Sequence, residues 1–249
     1  MCLVVWKWQP ETASPLILLS NRDEFYSRPT LPLHWWDERV LAGKDLQEGG
    51  TWLGVSRAGK LAVLTNYRSA KERIISAPTR GKLVADFLRN DESIDSYLNF
   101  LSSVGQSYNP FNLLLYDGST LKGFESNSNK VIDIKPGIGG LSNAQFDTPW
   151  PKLKNLKNQL NSCLQINMTD PFQMLSLLSD DTLASDEDLP ITGLPYERER
   201  SLSACFIKTI DYGTRTSSFV HFRNRNVCFV EQGYNNVGKT ELVQIDFKL

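Results

Sequence analysis

Histidine is almost absent from this chain: His34 and His221 are the only two among its 249 residues. Two imidazoles leave no room for a histidine-rich zinc or di-iron centre, or for several histidine-dependent catalytic units. Cysteine is also sparse. Cys2, Cys163, Cys205 and Cys228 lie far apart and none forms a C-x-x-C pair, so a disulfide-stapled secreted domain is not expected and a reducing, cytoplasmic setting is. No stretch approaches the roughly 18 apolar residues that cross a bilayer, and the amino terminus lacks the basic and apolar regions of a signal peptide. Charge of one sign is missing too: 27 basic residues face 28 acidic ones, for a net charge of −1. Nucleic acid is therefore not an expected partner, since phosphate binding draws on a basic surplus. What remains is an ordinary folded composition, 41% hydrophobic and 22% charged, suited to a small-molecule ligand.

Apolar periodicity places strands at both ends and helices between them. Leu3–Trp8 and Leu16–Ser20 read as a hairpin, and Thr51–Ser56 and Leu61–Thr65 as a second one around Arg57-Ala58-Gly59-Lys60. Leu83, Val84, Phe87 and Leu88 form one helical face, and Ile94, Tyr97, Leu98 and Leu101 another, with Asp91 or Ser93 as cap. Strands return at Phe111–Tyr116, Leu121–Glu125 and Val131–Ile134. A helix is expected through Leu153, Leu156, Leu160 and Leu164, and a short one over Pro171–Leu178. The acidic stretch Asp180–Asp188 reads as a solvated loop. Strand signals resume at Leu202–Ile210, Ser217–Phe222, Asn226–Gln232 and Glu241–Phe247. With no internal repeat and no low-complexity linker, residues 1–249 are expected to form one α+β domain whose two chain ends share layers.

Chemistry concentrates at the amino terminus. Initiator methionine is usually removed before a small residue, which would expose Cys2. A thiol beside a free α-amine is a self-sufficient catalytic pair, because an amine of pKa about 7.7–8.0 takes the thiol proton near neutrality. Such a pair needs no histidine. The polar run Asn21-Arg22-Asp23-Glu24 follows the second apolar strand, and the hairpin would return it to Cys2, where a carboxylate could orient the amine. Asn66 and Asn143 each close an apolar or glycine-rich stretch, and a neutral amide can stabilise an oxyanion. Each feature singly also has a plain structural reading: an apolar strand start, a charged loop, turn asparagines.

Together they resemble the NRDE-motif family, also called the transport and Golgi organisation protein 2 family. The resemblance is carried by Met1-Cys2, Asn21-Arg22-Asp23-Glu24, Gly49-Gly50-Thr51-Trp52-Leu53-Gly54, Leu64-Thr65-Asn66, Leu141-Ser142-Asn143 and Tyr212-Gly213-Thr214-Arg215. It spans nearly the whole chain. More distantly the layout is similar to the cysteine N-terminal-nucleophile hydrolases of the choloylglycine hydrolase and penicillin V acylase group. That likeness implies a four-layer αββα sandwich with the nucleophile at the start of a central strand. It also implies Cys2 as nucleophile, Asp23 as the aspartate touching the α-amine, and Asn66 and Asn143 at the oxyanion site. The acylase group carries an arginine three residues before its aspartate; here that position is Ser20, and Arg22 adjoins Asp23. For a later arginine, Arg200 and Arg215 both qualify.

His34, Trp35 and Trp36 form an aromatic cluster that would line a core, a pocket wall or a flat apolar ligand site. The resemblance further implies haem trafficking and lipid or acyl-CoA handling, in which case His34 or His221 would be the axial nitrogen. Arg22, Glu24 and Asn21 join these residues as candidate ligand contacts. The leading expectation is a Cys2-dependent hydrolase of an amide or related acyl bond, requiring no cofactor and no metal. The alternative is a non-catalytic carrier of haem or acyl-CoA in the same pocket. Gly49-Gly50 lacks the Gly-Lys-Ser/Thr ending of a phosphate loop, and Cys163, Cys205 and Cys228 read as core residues.

Overall fold

A computed structural model describes residues 2–68 and 74–249. The chain divides into two compact units, one built from its two ends and one from the segment between.

The first unit takes the residues up to Ser27 together with Pro136–Lys248. Its strands are β1 (Cys2–Trp8), β2 (Leu16–Phe25), β10 (Gly137–Leu141), β11 (Tyr212–Arg223), β12 (Asn226–Tyr234) and β13 (Lys239–Lys248). They form one antiparallel sheet in the order β10-β1-β2-β11-β12-β13. The chain's ends thus meet in one layer, β2 beside β11. Helices α3 (Pro151–Gln165), α4 (Pro171–Ser176) and α5 (Tyr196–Ser201) belong to the same unit. Leu153, Leu156 and Leu160 recur along one side of α3, and with Met174 and Leu175 of α4 they bury Leu3, Val5, Ile17, Leu19, Phe219 and Val230 of the sheet. Pro151 starts α3, where its missing N–H costs nothing, and Asp170 caps α4 by accepting from the Phe172 and Gln173 amides. The sheet's reverse face is also buried, through Val4, Trp6, Leu18, Val220 and Phe229.

The second unit covers Arg28–Lys135 with the terminal Leu249. Its strands are β3 (Thr30–Trp35), β4 (Val40–Asp45), β5 (Leu53–Ser56), β6 (Leu61–Asn66), β7 (Phe111–Tyr116), β8 (Leu121–Glu125) and β9 (Lys130–Asp133), paired in chain order. Helices α1 (Gly81–Arg89) and α2 (Ile94–Val104) lay Leu83, Val84, Phe87, Leu88, Tyr97 and Leu101 on the strand residues Val40, Ala42, Ala62, Leu64, Phe111 and Leu113. Ser93, one of the two expected caps, accepts a hydrogen bond from the Ser96 amide. The turn between β5 and β6 closes with Gly59 at φ +81, in the left-handed region that glycine enters without penalty.

Several expectations need correction. The second strand does not stop at Ser20: β2 runs on to Phe25 and contains the whole Asn21–Glu24 motif. Tyr212-Gly213-Thr214-Arg215 forms the first part of β11. Leu202–Ile210 forms no strand beyond an isolated bridge between Lys208 and Gly213, so Cys205 sits in a buried loop. Strands β3, β4 and β10 were not foreseen, and the strand expected from Thr51 begins at Leu53.

Candidate active site

The site is best built from the register of the first unit's sheet, because directly opposed residues of antiparallel strands share a face. Cys2 opens β1 and lies opposite Arg22 of β2. Arg22 in turn lies opposite Thr216 of β11. On the other side, β10 pairs with β1 up to Val4 and Leu141, and the chain then leaves the strand for the loop that holds Asn143. One row across the sheet therefore reads Cys2, Arg22, Thr216. The next row on the same face holds Val4, Ser20, Ser218 and Glu231. Beyond it the face is apolar: Trp6, Leu18, Val220 and Phe229. Polarity is thus confined to the end of the sheet where Cys2 sits.

Every member of this polar patch is buried. Cys2 is 5% exposed, Arg22 4%, Ser20 2% and Thr216 6%. Burial pushes the Cys2 thiol above its ordinary range; Asp23 and Glu24 push it the same way and the Arg22 guanidinium pulls it back. The thiol is therefore held protonated at neutral pH, and a nucleophilic role requires a base at the site.

Alternation divides the Asn-Arg-Asp-Glu motif between two faces. Arg22 and Ser20 face as Cys2 does. Asn21 and Asp23 continue the Ile17 and Leu19 series toward the helices. There the Asn21 amide donates to the Leu178 and Cys205 carbonyls at 2.8 and 2.9 Å and accepts from the Ser217 hydroxyl at 2.6 Å. Asp23 Oδ1 accepts from Thr214 Oγ1 at 2.8 Å, and its backbone carbonyl accepts from the Tyr212 hydroxyl at 3.0 Å. So Asn21 ties β2 to the loop carrying Cys205, while Asp23 ties it to the start of β11. Burial raises the Cys205 thiol to about 12, with Lys152 opposing and Asp23 assisting, consistent with a core residue.

Asn143 is fully buried in the loop that follows β10. That loop is pinned by Asp147, whose carboxylate accepts from the Gly140 amide at 2.9 Å and whose own amide donates back to the Gly140 carbonyl at 2.9 Å. Gly139 must lack a side chain: a Cβ there would lie 2.4 Å from the Trp6 ring.

The two candidate arginines separate clearly. Arg200 lies on α5, about half exposed, with its Nε 3.4 Å from Asp186. Arg215 occupies a β-bulge, where the β2 register jumps from Thr214 to Thr216. Its guanidinium donates to the Phe25 carbonyl at 2.8 Å and the Tyr234 carbonyl at 3.2 Å. A bulge re-aims one side chain out of the alternation, and here it places Arg215 at the edge of the row containing Thr216. Glu24, half-buried, follows Arg22 and Asp23 at the end of β2 and accepts from the Phe25 amide at 3.0 Å.

Asn66, His34, Trp35 and Trp36 belong to the second unit. Asn66 ends β6 in the second unit, opposite Phe111. His34 and Trp35 are in β3 and Trp36 follows it. His34 Nδ1 is 2.7 Å from the Pro32 carbonyl, Arg57 covers Trp35 at 4.1 Å, and Lys44 and Arg89 flank Trp36 at 5.1 and 5.4 Å. His221 lies in β11 on the helix-facing side, at the end of the sheet away from Cys2. Its Nε2 is 2.7 Å from Ser14 Oγ, and burial lowers its pKa to about 4. It borders a cavity of about 320 Å³ together with Thr169, Phe219, Cys228 and Asp246. The hydroxyls of Thr214, Thr216, Ser217 and Ser218 were missed at the sequence level. Their only signal was a polar head, Thr-Arg-Thr-Ser-Ser, on an otherwise apolar strand.

The family model described as Transport and Golgi organisation 2 matches residues 1–236. The Transport and Golgi organization protein 2 homolog of Bos taurus is 38% identical over 243 residues, covering 88% of each chain. Among solved structures, the C2A mutant of a conjugated bile acid hydrolase from Clostridium perfringens superposes with a TM-score of 0.56 at 10% identity, covering 99% of this chain and 92% of that one. A Caenorhabditis elegans ortholog of N-acylethanolamine-hydrolyzing acid amidase gives 0.56 at 11% identity, covering 88% and 92%. These likenesses show the fold class, the αββα type of the N-terminal-nucleophile hydrolases.

Proposed function

Because the chain belongs to the Transport and Golgi organisation 2 family and has the N-terminal-nucleophile hydrolase fold, we propose that it hydrolyses an amide or related acyl bond of a small molecule through Cys2. Both solved neighbours are named as hydrolases, one of them an acid amidase. The observation that carries the reading is Cys2 at the start of β1, paired with Arg22, at the polar end of an otherwise apolar sheet face.

In the proposed reaction Met1 is removed and the α-amine of Cys2 is free. The thiol attacks the acyl carbonyl carbon as its proton passes to that amine, which replaces the histidine that the chain lacks at this position. The oxyanion that forms accepts a hydrogen bond from the Asn143 amide. Collapse of the tetrahedral adduct breaks the acyl C–N bond, and the α-ammonium returns its proton to the departing amine. Water, deprotonated by the same α-amine, then cleaves the thioester and restores the thiol. Arg22 offsets the burial of the developing thiolate, and Asp23, anchored by Thr214, steadies the strand end beside it.

Intact mass and alkylation test this reading together. The expected result is a chain one methionine lighter whose Cys2 reacts with iodoacetamide faster than Cys163. Retention of Met1, or labelling of Cys2 no faster than Cys163, overturns it.

One observation favours a second, carrier reading: His221, neutral at physiological pH, borders the 320 Å³ cavity. Haem bound through that nitrogen would give a saturable Soret shift on haemin titration that His221→Ala abolishes; an unchanged shift in the variant removes that ligand from consideration.

A further inference from the structure

Two hydroxyls on the Cys2 face have no hydrogen-bond partner among the described residues: Ser20 Oγ and Thr216 Oγ1. Both residues are more than nine-tenths buried. A buried hydroxyl left unpaired is destabilising, so native chains seldom keep two together without a use for them. Their positions are specific. Thr216 lies directly across from Arg22, and Ser20 lies two residues from Arg22 along β2. Cys2 adjoins Arg22 on its other flank. Ser20, Arg22 and Thr216 therefore share the face of Cys2 and lie on the same side of it in the strand order.

Asp23 lies on the opposite face, whereas Glu24 and Glu231 share the face of Arg22. Asp23 faces the helices and accepts from Thr214. Glu24 accepts from the Phe25 amide. Glu231 sits in the row beyond, two strands from Ser20, and Ser218 stands between them with its hydroxyl 3.4 Å from Glu231 Oε2. What the patch offers next to Cys2 is two hydroxyl donors about a cation, the donor set that an anionic oxygen group accepts from.

We propose that Ser20 and Thr216, with Arg22 between them, form an anion-binding subsite beside Cys2. The substrate would then carry a carboxylate, sulfonate or phosphate close to its scissile carbonyl. This rests on Cys2 being the nucleophile. Ser20 and Thr216 are specificity-determining residues that place the anion and do not themselves react.

Alkylation by reagents of different charge tests the subsite without knowledge of the natural substrate. Iodoacetate and iodoacetamide carry the same leaving group, and only the first is an anion. Their rate ratio at Cys2 in the full-length protein is measured by peptide mass spectrometry and divided by the ratio for free cysteine. We expect the normalised ratio to favour iodoacetate by about fivefold or more, the effect of one added hydrogen bond. Thr216→Val and Ser20→Ala should each lower it toward one, and Thr216→Ser, which keeps the hydroxyl, should retain it. Protection of Cys2 by acetate, methanesulfonate or inorganic phosphate then tells which anion fits. A normalised ratio near one in the unmodified protein overturns the subsite and leaves the nucleophile standing. So does a raised ratio that Thr216→Val and Ser20→Ala leave unchanged. Failure of both reagents to label Cys2 overturns the nucleophile, and the subsite with it.

Discussion

Asn21 ties three separate segments of the first unit together. Its amide serves two backbone carbonyls and its oxygen takes the Ser217 hydroxyl, with no part of it exposed. Replacing it by alanine removes three buried hydrogen bonds at once, which water does not replace at that depth. Asn21→Ala should therefore destabilise the protein by about 2–4 kcal/mol, read from its urea midpoint. The Cys2 alkylation rate measured under native conditions should change far less, because Asn21 points to the other face. His221 gives a second residue-level prediction. Its folded pKa is depressed to about 4 by burial, whereas the unfolded side chain titrates near 6.5. The unfolded chain thus binds the proton first, and stability falls as pH drops from about 6.5 toward 4. His221→Asn keeps a polar partner for Ser14 and should flatten that part of the pH profile, checked by urea midpoints at pH 7 and pH 5. The polar cluster Asn21–Glu24 was legible in the sequence as residues in need of partners. Its division between two faces was not, since every residue of β2 up to Asp23 is buried and full burial erases the alternation that marks a half-exposed strand.

At the scale of elements, legibility tracked composition. Helices α1, α2 and α3 were readable because their apolar residues recur at helical spacing on one side only. Strand β10 was hidden because three of its five residues are glycine, a residue depleted in strands. Here the glycines are required by neighbours remote in sequence: Trp6 occupies the space above Gly139, and Leu153 that above Gly140. Leu202–Ile210 erred in the opposite direction. Its apolar character suits a strand, yet its backbone groups are taken one by one: the Leu202 carbonyl by Lys152, the Cys205 carbonyl by Asn21, the Phe206 amide by Asp180 and the Ile207 amide by Thr214. Three of the four span 26 residues or more and the fourth spans 7, so no short window of sequence contains them all. Gly139→Ala tests the packing account. The new methyl must displace a fully buried indole, at a cost of about 1–3 kcal/mol. Because β10 carries the chain into the Asn143 loop, the same substitution should also slow Cys2-dependent acyl transfer. Thermal denaturation reads the first effect, and single-turnover thioester formation with an activated acyl ester reads the second.

At the scale of the whole molecule, the two units differ in how far apart in sequence their contacts lie. The second unit is nearly contiguous, and its β6–β7 pairing joins residues such as Thr65 and Asn112, 47 apart. The first unit is split: β2 cannot pair with β11 until Asp23 meets Thr214, 191 residues away. Loop-closure entropy grows only logarithmically, so this extra separation costs about 1 kcal/mol. The larger effect is kinetic. Pairing β2 with β11 brings both chain ends together before either end has a completed sheet, and contacts of high sequence separation form late. The candidate site inherits this lateness, since Cys2, Arg22 and Thr216 become neighbours only when those ends join. Pulse-labelled hydrogen exchange during refolding should accordingly protect amides of β6 and β7 before those of β2 and β11, and Cys2 alkylation should reach its native rate only with the later phase. Simultaneous protection of both sets would mean that the two units fold as one cooperative step. Protection of β2 and β11 first would show that the chain ends find each other without help from the middle of the chain, and would overturn the assignment of the slow phase to long-range closure.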